Sequence, residues 1–418
     1  MKILISAIAC NPYLGSENYV GWAAVKCLAR DHDLWVVTSK RHRLDLEKAE
    51  TEGLVPKNVR FILVGNYEEW RHSRRLGRLK DWQEYVNFSR AILPVGRQLH
   101  VTEKFDLAHH VTIATWRVAS PLWRLGIPFV FGPIGGNEQF PPRLFPILSR
   151  SAAGFELLRM LSNTASRFSP SVRACMRHAS HIFASNSETE SLVKRLHGSS
   201  EGVSRLMQTF FPAERIQAFT IQAARREATG PLRLFAGGYL EGRKGGALAI
   251  HALARAKAKG VKFQYRLCSN GPEIDHLRKL AIRLGLGDEI LFASPLSGEA
   301  YRTELGATHI YLLPSLRDSA GATLMEAMLA GCVPVVADCG GPGHIVTAEC
   351  GYKIPVSNCE RMIDDLANTI VILDRDRKII LEKGRAASRR ITADFSEEHY
   401  RATLNAVYQS VAGMKRQV

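Results

Sequence analysis

The chain has eight cysteines but no C-x-x-C pair and no His/Cys ligand spacing. That scatter excludes a zinc module or a redox dithiol. It reads as reduced core thiols in a cytoplasmic protein. No window approaches the ~20 uninterrupted apolar residues that a spanning helix needs. The N-terminal run MKILISAIAC is too short and stops at Asn11 and Pro12, so it reads as a first buried strand and not a signal peptide. Internal repeats and low-complexity tracts are missing. Acids are scarce: 40 Asp and Glu stand against 56 Lys and Arg, giving a net charge of +16 and a pI of about 9.6. Such a surplus suits nucleic acid, an anionic membrane surface or phosphate-bearing substrates. The chain carries no zinc finger and no RRM-type aromatic–glycine motif, so no nucleic-acid partner is expected.

At 418 residues and 46% hydrophobic content, the chain is a soluble globular protein too long for one core. Apolar runs of strand length fall at 3–8, 34–38, 59–64, 105–109, 128–131 and 181–184, with longer amphipathic segments between them. A second series falls at 232–236, 263–268, 290–293, 310–313 and 333–337. Alternation of this kind predicts an α/β fold with parallel sheets, and two series predict two sheets. The polar stretch at 220–231, with Gly230–Pro231, marks the break. The expected domains are 1–222 and 223–393, followed by a helix over 394–418.

The most informative stretch is PSLRDSAGATLMEAMLAGCVPVV, from Pro314 to Val336. It reads as a strand end, a small-residue loop, a helix and another buried strand. Seven residues separate Asp318 from Glu326. Ala320, Gly321, Ala322 and Thr323 leave little bulk over the first N–H groups of the helix, whose donor-facing amides are expected near Gly321–Leu324. Such a helix start favours an anion, because those N–H groups lack partners and the macrodipole is positive there. A carboxylate a turn or two further in is placed to accept bonds from sugar hydroxyls.

This stretch resembles the donor-site signature of the family 4 retaining glycosyltransferases, which have the two-Rossmann GT-B fold. The signature is an acid, seven residues and a Glu, within PS-x-x-E-G-F-G-x-x-x-x-E-A-M-x-x-G-x-P-V-V. Pro314, Ser315, Gly321, Glu326, Ala327, Met328, Gly331, Pro334, Val335 and Val336 match; Asp318 replaces a Glu and Ala320 a Phe. The resemblance implies a C-terminal helix that crosses back onto the first domain. The run AGGYLEGRKGG at 236–246 is similar to the family's G-R-L-x-x-x-K-G segment. There Lys244 would hold the donor diphosphate. Tyr239 stands where the family has Arg, with Arg243 as its substitute, and Gly238 lies in the turn. Ser294 and Leu296 are the candidates beside the nucleobase. His344 stands where a Glu is usual.

In the first domain, Gly15 sits in the loop after the first strand, where the family approaches phosphate and acceptor; Ser16 is the expected N-cap. DLAHHVT, at 106–112, resembles D-x-x-H-x-H, which makes His109 and His110 candidates for an imidazole beside the donor sugar. Asp106 is expected to fix local structure. FGPIGGNEQF, at 131–140, offers two glycines and a carboxylate near the acceptor. The D-x-D triplets at Asp31–Asp33 and Asp374–Asp376 read as turn and helix residues, not metal ligands. The basic, aromatic-flanked run WRHSRRLGRLKDW at 70–82 suits an anionic bilayer, and 145–167 is also apolar and basic.

The implied activity is transfer of a sugar, with retention, from a UDP- or GDP-sugar to a glycan or lipid-linked acceptor. The implied setting is surface polysaccharide or glycolipid synthesis, in the cytoplasm or peripherally on the inner face of the plasma membrane. No cofactor and no metal are expected. Two other readings stay open: a nucleotide-sugar epimerase on the same fold, and a silent sugar- or membrane-binding homologue.

Overall fold

The computed structural model describes residues 1–65, 77–220 and 230–414. Residues 70–76 of the basic run at 70–82 and most of the expected break at 220–231 lie outside them. Contacts divide the chain into two compact units. The first comprises 1–137, 163–208 and 400–418; the second comprises 138–162 and 209–399.

The first unit is built on seven strands: β1 (Lys2–Ala7), β2 (Asp33–Ser39), β3 (Val59–Val64), β4 (Leu107–Thr112), β5 (Phe129–Ile134), β6 (His181–Ala184) and β7 (Val203–Arg205). Their order is β3-β2-β1-β4-β5-β6-β7, with every neighbour parallel. All six residues of β4 and of β5 are buried. Helices on both faces of a parallel sheet impose this near-continuous apolar pattern. Trp35, Phe105, Trp116, Phe129 and Phe131 fill the core beside it. The short β7 had no clear apolar run to announce it.

The second unit carries six strands: β8 (Leu232–Gly237), β9 (Phe263–Cys268), β10 (Ile290–Ala293), β11 (Ile310–Leu312), β12 (Val333–Ala337) and β13 (Tyr352–Ile354). They lie in the order β10-β9-β8-β11-β12-β13, again all parallel. Two parallel-sheet Rossmann-like domains are therefore present, as the strand rhythm predicts.

The last helix starts at Glu397, after a separate helix Arg377–Asp394, and runs to Met414. Residues 400–414 of it belong to the first unit. Asp31 accepts from Arg401 at 2.9 Å and from Asn405 at 2.6 Å. Tyr408 is fully buried, its hydroxyl 2.6 Å from His109 Nδ1. His109 Nε2 lies 2.6 Å from the Gly132 carbonyl oxygen. A carbonyl can only accept, so Nε2 carries the proton and Nδ1 accepts from Tyr408. His110 is bonded in the same sense, with Nε2 3.3 Å from the Ile113 carbonyl and Nδ1 3.0 Å from the Ser6 hydroxyl.

Burial depresses the pKa of both imidazoles, His109 to about 3 and His110 to about 4, from an ordinary 6.5. Folded values below the unfolded value mean that the unfolded chain binds these protons first. The stabilisation is complete above pH 6.5 and is lost as pH falls towards 4. Proton NMR of the folded chain should show both ring signals unprotonated at pH 5. The melting temperature should fall between pH 7 and pH 5. Ring signals that titrate near 6.5 in the folded protein would contradict the buried neutral pair.

Candidate functional site

In the second sheet the strand order reverses between β8 and β11. Outside the carboxyl ends of parallel strands, such a switch point opens a crevice where α/β sheets take ligands. Two loops meet there. One follows β8 through Gly238 into a 3-10 turn, Gly242–Lys244, and then the helix Gly246–Ala258. Arg243 and Lys244 thus precede that helix instead of opening it. The other loop follows β11 and enters the helix Ala322–Leu329 at Gly321.

The loops are in close contact because Gly245 permits it. It has φ +71°, and a Cβ there would sit 2.1 Å from the Pro314 carbonyl oxygen. The Arg243 carbonyl accepts from Leu316 N–H at 2.8 Å. Lys244 Nζ is ion-paired with Asp318 Oδ2. Burial alone would raise the Asp318 pKa, but Lys244 and then Arg243 outweigh it and hold the carboxyl below its ordinary value. The Gly341 N–H donates to the Asp318 carbonyl at 2.7 Å, so the start of the short helix Gly340–Ile345 lies against this acid.

Arg243 has a different task from the one expected. Its Nε pairs with Glu241 at 2.6 Å and its Nη1 donates to the Arg317 carbonyl at 2.7 Å. It braces the two loops against each other. Tyr239, in the family's Arg position, is 56% exposed.

The helix Ala322–Leu329 has Gly321 at its N-cap with φ +78° and no side-chain cap. Gly238 and Thr323 lie together: a Cβ on Gly238 would be 3.7 Å from the Thr323 methyl. Glu326 follows in the second turn, buried. One of its oxygens is paired with Arg215 of the helix Ala213–Thr220, and the other accepts from the Tyr301 hydroxyl at 3.0 Å. Burial and then Glu326 push the Tyr301 hydroxyl well above its ordinary pKa, so it remains a donor. Ser294 lies exposed past the end of β10, and Leu296 is half-buried.

Two further pairs fix the loop from residues 138–162. Arg317 and Glu156 form a bidentate, buried pair at 2.8 and 2.7 Å. The Ser319 hydroxyl donates to buried Glu138 at 3.0 Å, and Arg159 stands 4.0 Å from the same carboxylate. Glu138 is the carboxylate of the FGPIGGNEQF run. Glu156, Arg215 and Tyr301 escaped sequence reading: each lies outside the motifs, and its relevance comes only from folding.

The first unit places its expected residues differently. Gly15 is exposed, in open space after β1. The next helix begins at Glu17, but Ser16, at φ 56°, makes no side-chain cap. His109 and His110 stand in the sheet core with all four ring nitrogens bonded to protein groups. The expectation of a sugar-facing imidazole does not match that placement; His109 instead anchors the last helix through Tyr408. Asp106 accepts the Lys2 N–H at 2.8 Å, a local structural role. Asp374 pairs with Arg377 and Asp376 caps the next helix. His344 sits in the short helix Gly340–Ile345 beside the Asp318 loop.

Residues 218–385 match the family model of the glycosyl transferases, group 1. That match spans all six strands of the second sheet and every candidate from Gly238 to Glu326. The chain is 26% identical over 189 residues to a colanic acid biosynthesis glycosyltransferase of Salmonella typhimurium, covering 43% of this chain and 46% of the relative. It is 30% identical over 145 residues to a lipopolysaccharide core biosynthesis mannosyltransferase of Rhizobium leguminosarum, covering 34% of this chain and 39% of that protein. The chain thus spans under half the length of either relative. Its fold is similar to that of the Anabaena protein HepE in complex with UDP and glucose, with TM-score 0.57 over 100% of both chains at 16% identity.

The loop after β11 depends on the Arg317–Glu156 pair, which gives a stability test. Arg317→Ala should cost about 3–5 kcal/mol, because Glu156 would be left as an uncompensated buried charge. The double variant Arg317→Met/Glu156→Met should cost less than Arg317→Ala alone. Calorimetric unfolding checks this; equal losses would show that packing, not charge, sets the loop.

Proposed function

We propose that this chain is a glycosyltransferase that moves a sugar from a nucleotide-diphosphate sugar to a glycan or lipid-linked acceptor, with retention. The observation that carries the proposal is the Lys244–Asp318 pair at the β8–β11 switch point, beside an uncapped helix start and a buried Glu326. Those groups are what a nucleotide diphosphate sugar requires within one crevice.

In this reading the diphosphate sits against Lys244, which neutralises it and stabilises the charge that grows on the leaving group. The amide groups of Gly321, Ala322, Thr323 and Leu324 add partial positive charge. Asp318, freed from Lys244, accepts from the donor sugar. Glu326 accepts from the ribose hydroxyls, and Arg215 and Tyr301 hold its carboxylate in place. Gly238, Tyr239, Ser294 and Leu296 border the nucleotide. Arg243 acts by bracing the loops. Retention follows from the resemblance to the family 4 signature: the acceptor enters on the face from which the diphosphate leaves, and a donor phosphate oxygen takes its proton. The cation is supplied by Lys244, so no divalent metal is required.

The HepE complex with UDP and glucose, and the relatives named for colanic acid and lipopolysaccharide core biosynthesis, support a UDP- or GDP-sugar and a surface glycan. An acceptor with a lipid, presented at an anionic membrane, fits the helix Arg150–Phe168. It leaves Leu157, Leu158, Leu161 and Phe168 more than half exposed, between 54% and 69%. No helix among the described residues is long and apolar enough to cross a membrane.

Incubation with UDP- and GDP-sugars in excess EDTA should release nucleotide diphosphate. Proton NMR of the first product should show the donor's anomeric configuration. Glu326→Ala should weaken UDP or GDP binding by roughly 1.5–3 kcal/mol in calorimetry. Lys244→Ala should lower turnover more than it lowers affinity. Activity that returns only with magnesium would remove the metal-free claim. An inverted product would remove retention, and unaltered turnover in Lys244→Ala would place the diphosphate elsewhere.

A further inference from the structure

The helix Arg150–Phe168 is turned the opposite way from a helix on a water-facing surface. Such a helix buries its apolar stripe and shows its polar face to solvent. In the part that belongs to the second unit, up to Ser162, the reverse holds. Glu156, the one acid of the helix, faces the protein and is buried against Arg317. Arg159 also turns inward, 4.0 Å from buried Glu138. Leu157, Leu158 and Leu161 lie on the outer side, each more than half exposed, and Phe155 is exposed as well.

The buried pair sets this rotation. Arg317 holds Glu156 through two hydrogen bonds, so the helix cannot roll its leucines inward without leaving a buried carboxylate unpaired. Each exposed leucine forgoes the stabilisation that burial would bring. Folding alone gains nothing by this arrangement. It gains when something apolar covers the outer face.

Charge indicates what the cover is. The outer side of the helix carries no carboxylate. Arg150 at the helix start and Arg143 in the preceding 3-10 turn, Pro142–Ile147, are exposed. The whole chain has a net charge of +16. Aliphatic side chains bordered by arginine suit a bilayer with anionic headgroups, where the apolar face sinks below the phosphates and the cations stay among them.

Behind this face, the same segment holds both loops of the crevice. Arg317 immediately precedes Asp318. In the turn that ends at Lys244, a Cβ on Gly242 would lie 2.8 Å from Leu148 and 2.9 Å from Ala152. The Ser149 hydroxyl donates to Glu273 at 2.9 Å.

We propose that the outer leucine face seats the chain on an anionic bilayer, and that this seat stabilises the loop from Pro314 to Gly321. The bilayer favours the helix rotation that the Arg317–Glu156 pair sets. It thereby favours the intact pair and the ordered loop over any state in which the pair is broken. Service of this loop to a lipid-linked acceptor rests on the transferase reading; the seat itself does not.

The test is co-sedimentation and hydrogen–deuterium exchange of the full chain with vesicles of phosphatidylglycerol in phosphatidylcholine. Wild type should bind these vesicles, and should bind pure phosphatidylcholine at least tenfold more weakly. Exchange should slow at 150–162 and at 315–321 together. Leu157→Gln/Leu158→Gln/Leu161→Gln should bind at least tenfold more weakly and lose both protections, with its melting temperature unaltered. Absent binding in wild type, equal binding by the triple variant, or a wild-type dimer that the variant abolishes would overturn the seat. Protection confined to 150–162 would overturn its link to the loop. Failure of the transferase reading would show separately, as vesicle binding by a chain without UDP affinity.

Discussion

The loop from Pro314 to Gly321 is held by charge, and the crevice at the β8–β11 switch point depends on it. Arg317 is locked to Glu156, Asp318 to Lys244, and Ser319 to Glu138. Buried ion pairs give little net stability, since desolvation offsets most of the attraction, but they set geometry because breaking one is costly. Three successive residues with charged partners leave this small-residue loop one conformation. The helix start and Glu326 are then fixed relative to Lys244. The Lys244–Asp318 pair is less buried than Arg317–Glu156, at 16% exposure on each side chain against 9% and 4%. An entering diphosphate can compete for it without dismantling the rest.

The first unit is stabilised by different means. Its sheet is nearly all apolar, and burial keeps its histidines neutral while their ring nitrogens bond to carbonyls and hydroxyls of the protein. The last helix is tied to this sheet through Tyr408 and His109 and to the turn before β2 through Asp31. Two consecutive histidines in a strand that ends at a ligand-binding edge are thus structural here.

Much of this was legible in the chain. Nine of the eleven apolar runs match strands to within one residue at each end, and the other two overlap β4 and β5, which run on to Thr112 and Ile134, because parallel strands buried on both faces are largely apolar. Only β7 and β13, three residues each, lack such a run. The acid pair Asp318 and Glu326 was legible because its seven-residue spacing is local to one loop and one helix. What a side chain pairs with across the fold was not. Arg243 and Lys244 are neighbours in sequence, yet one turns to Glu241 and the other to Asp318. Nothing local separates them. His109 and His110 failed as substrate contacts for the same reason: their partners Tyr408 and Ser6 are remote in sequence. The division of the chain was also hidden, since residues 138–162 pack with the second unit although they precede β6 of the first.

The central claim is that the loops after β8 and β11 together hold a nucleotide diphosphate. Hydrogen–deuterium exchange of the full chain, with and without saturating UDP, tests it most directly. Protection should concentrate in 237–246 and 316–328, and should be lost from both segments together in Lys244→Ala. Protection confined to other segments, or none in these two while UDP is demonstrably bound, would contradict the account.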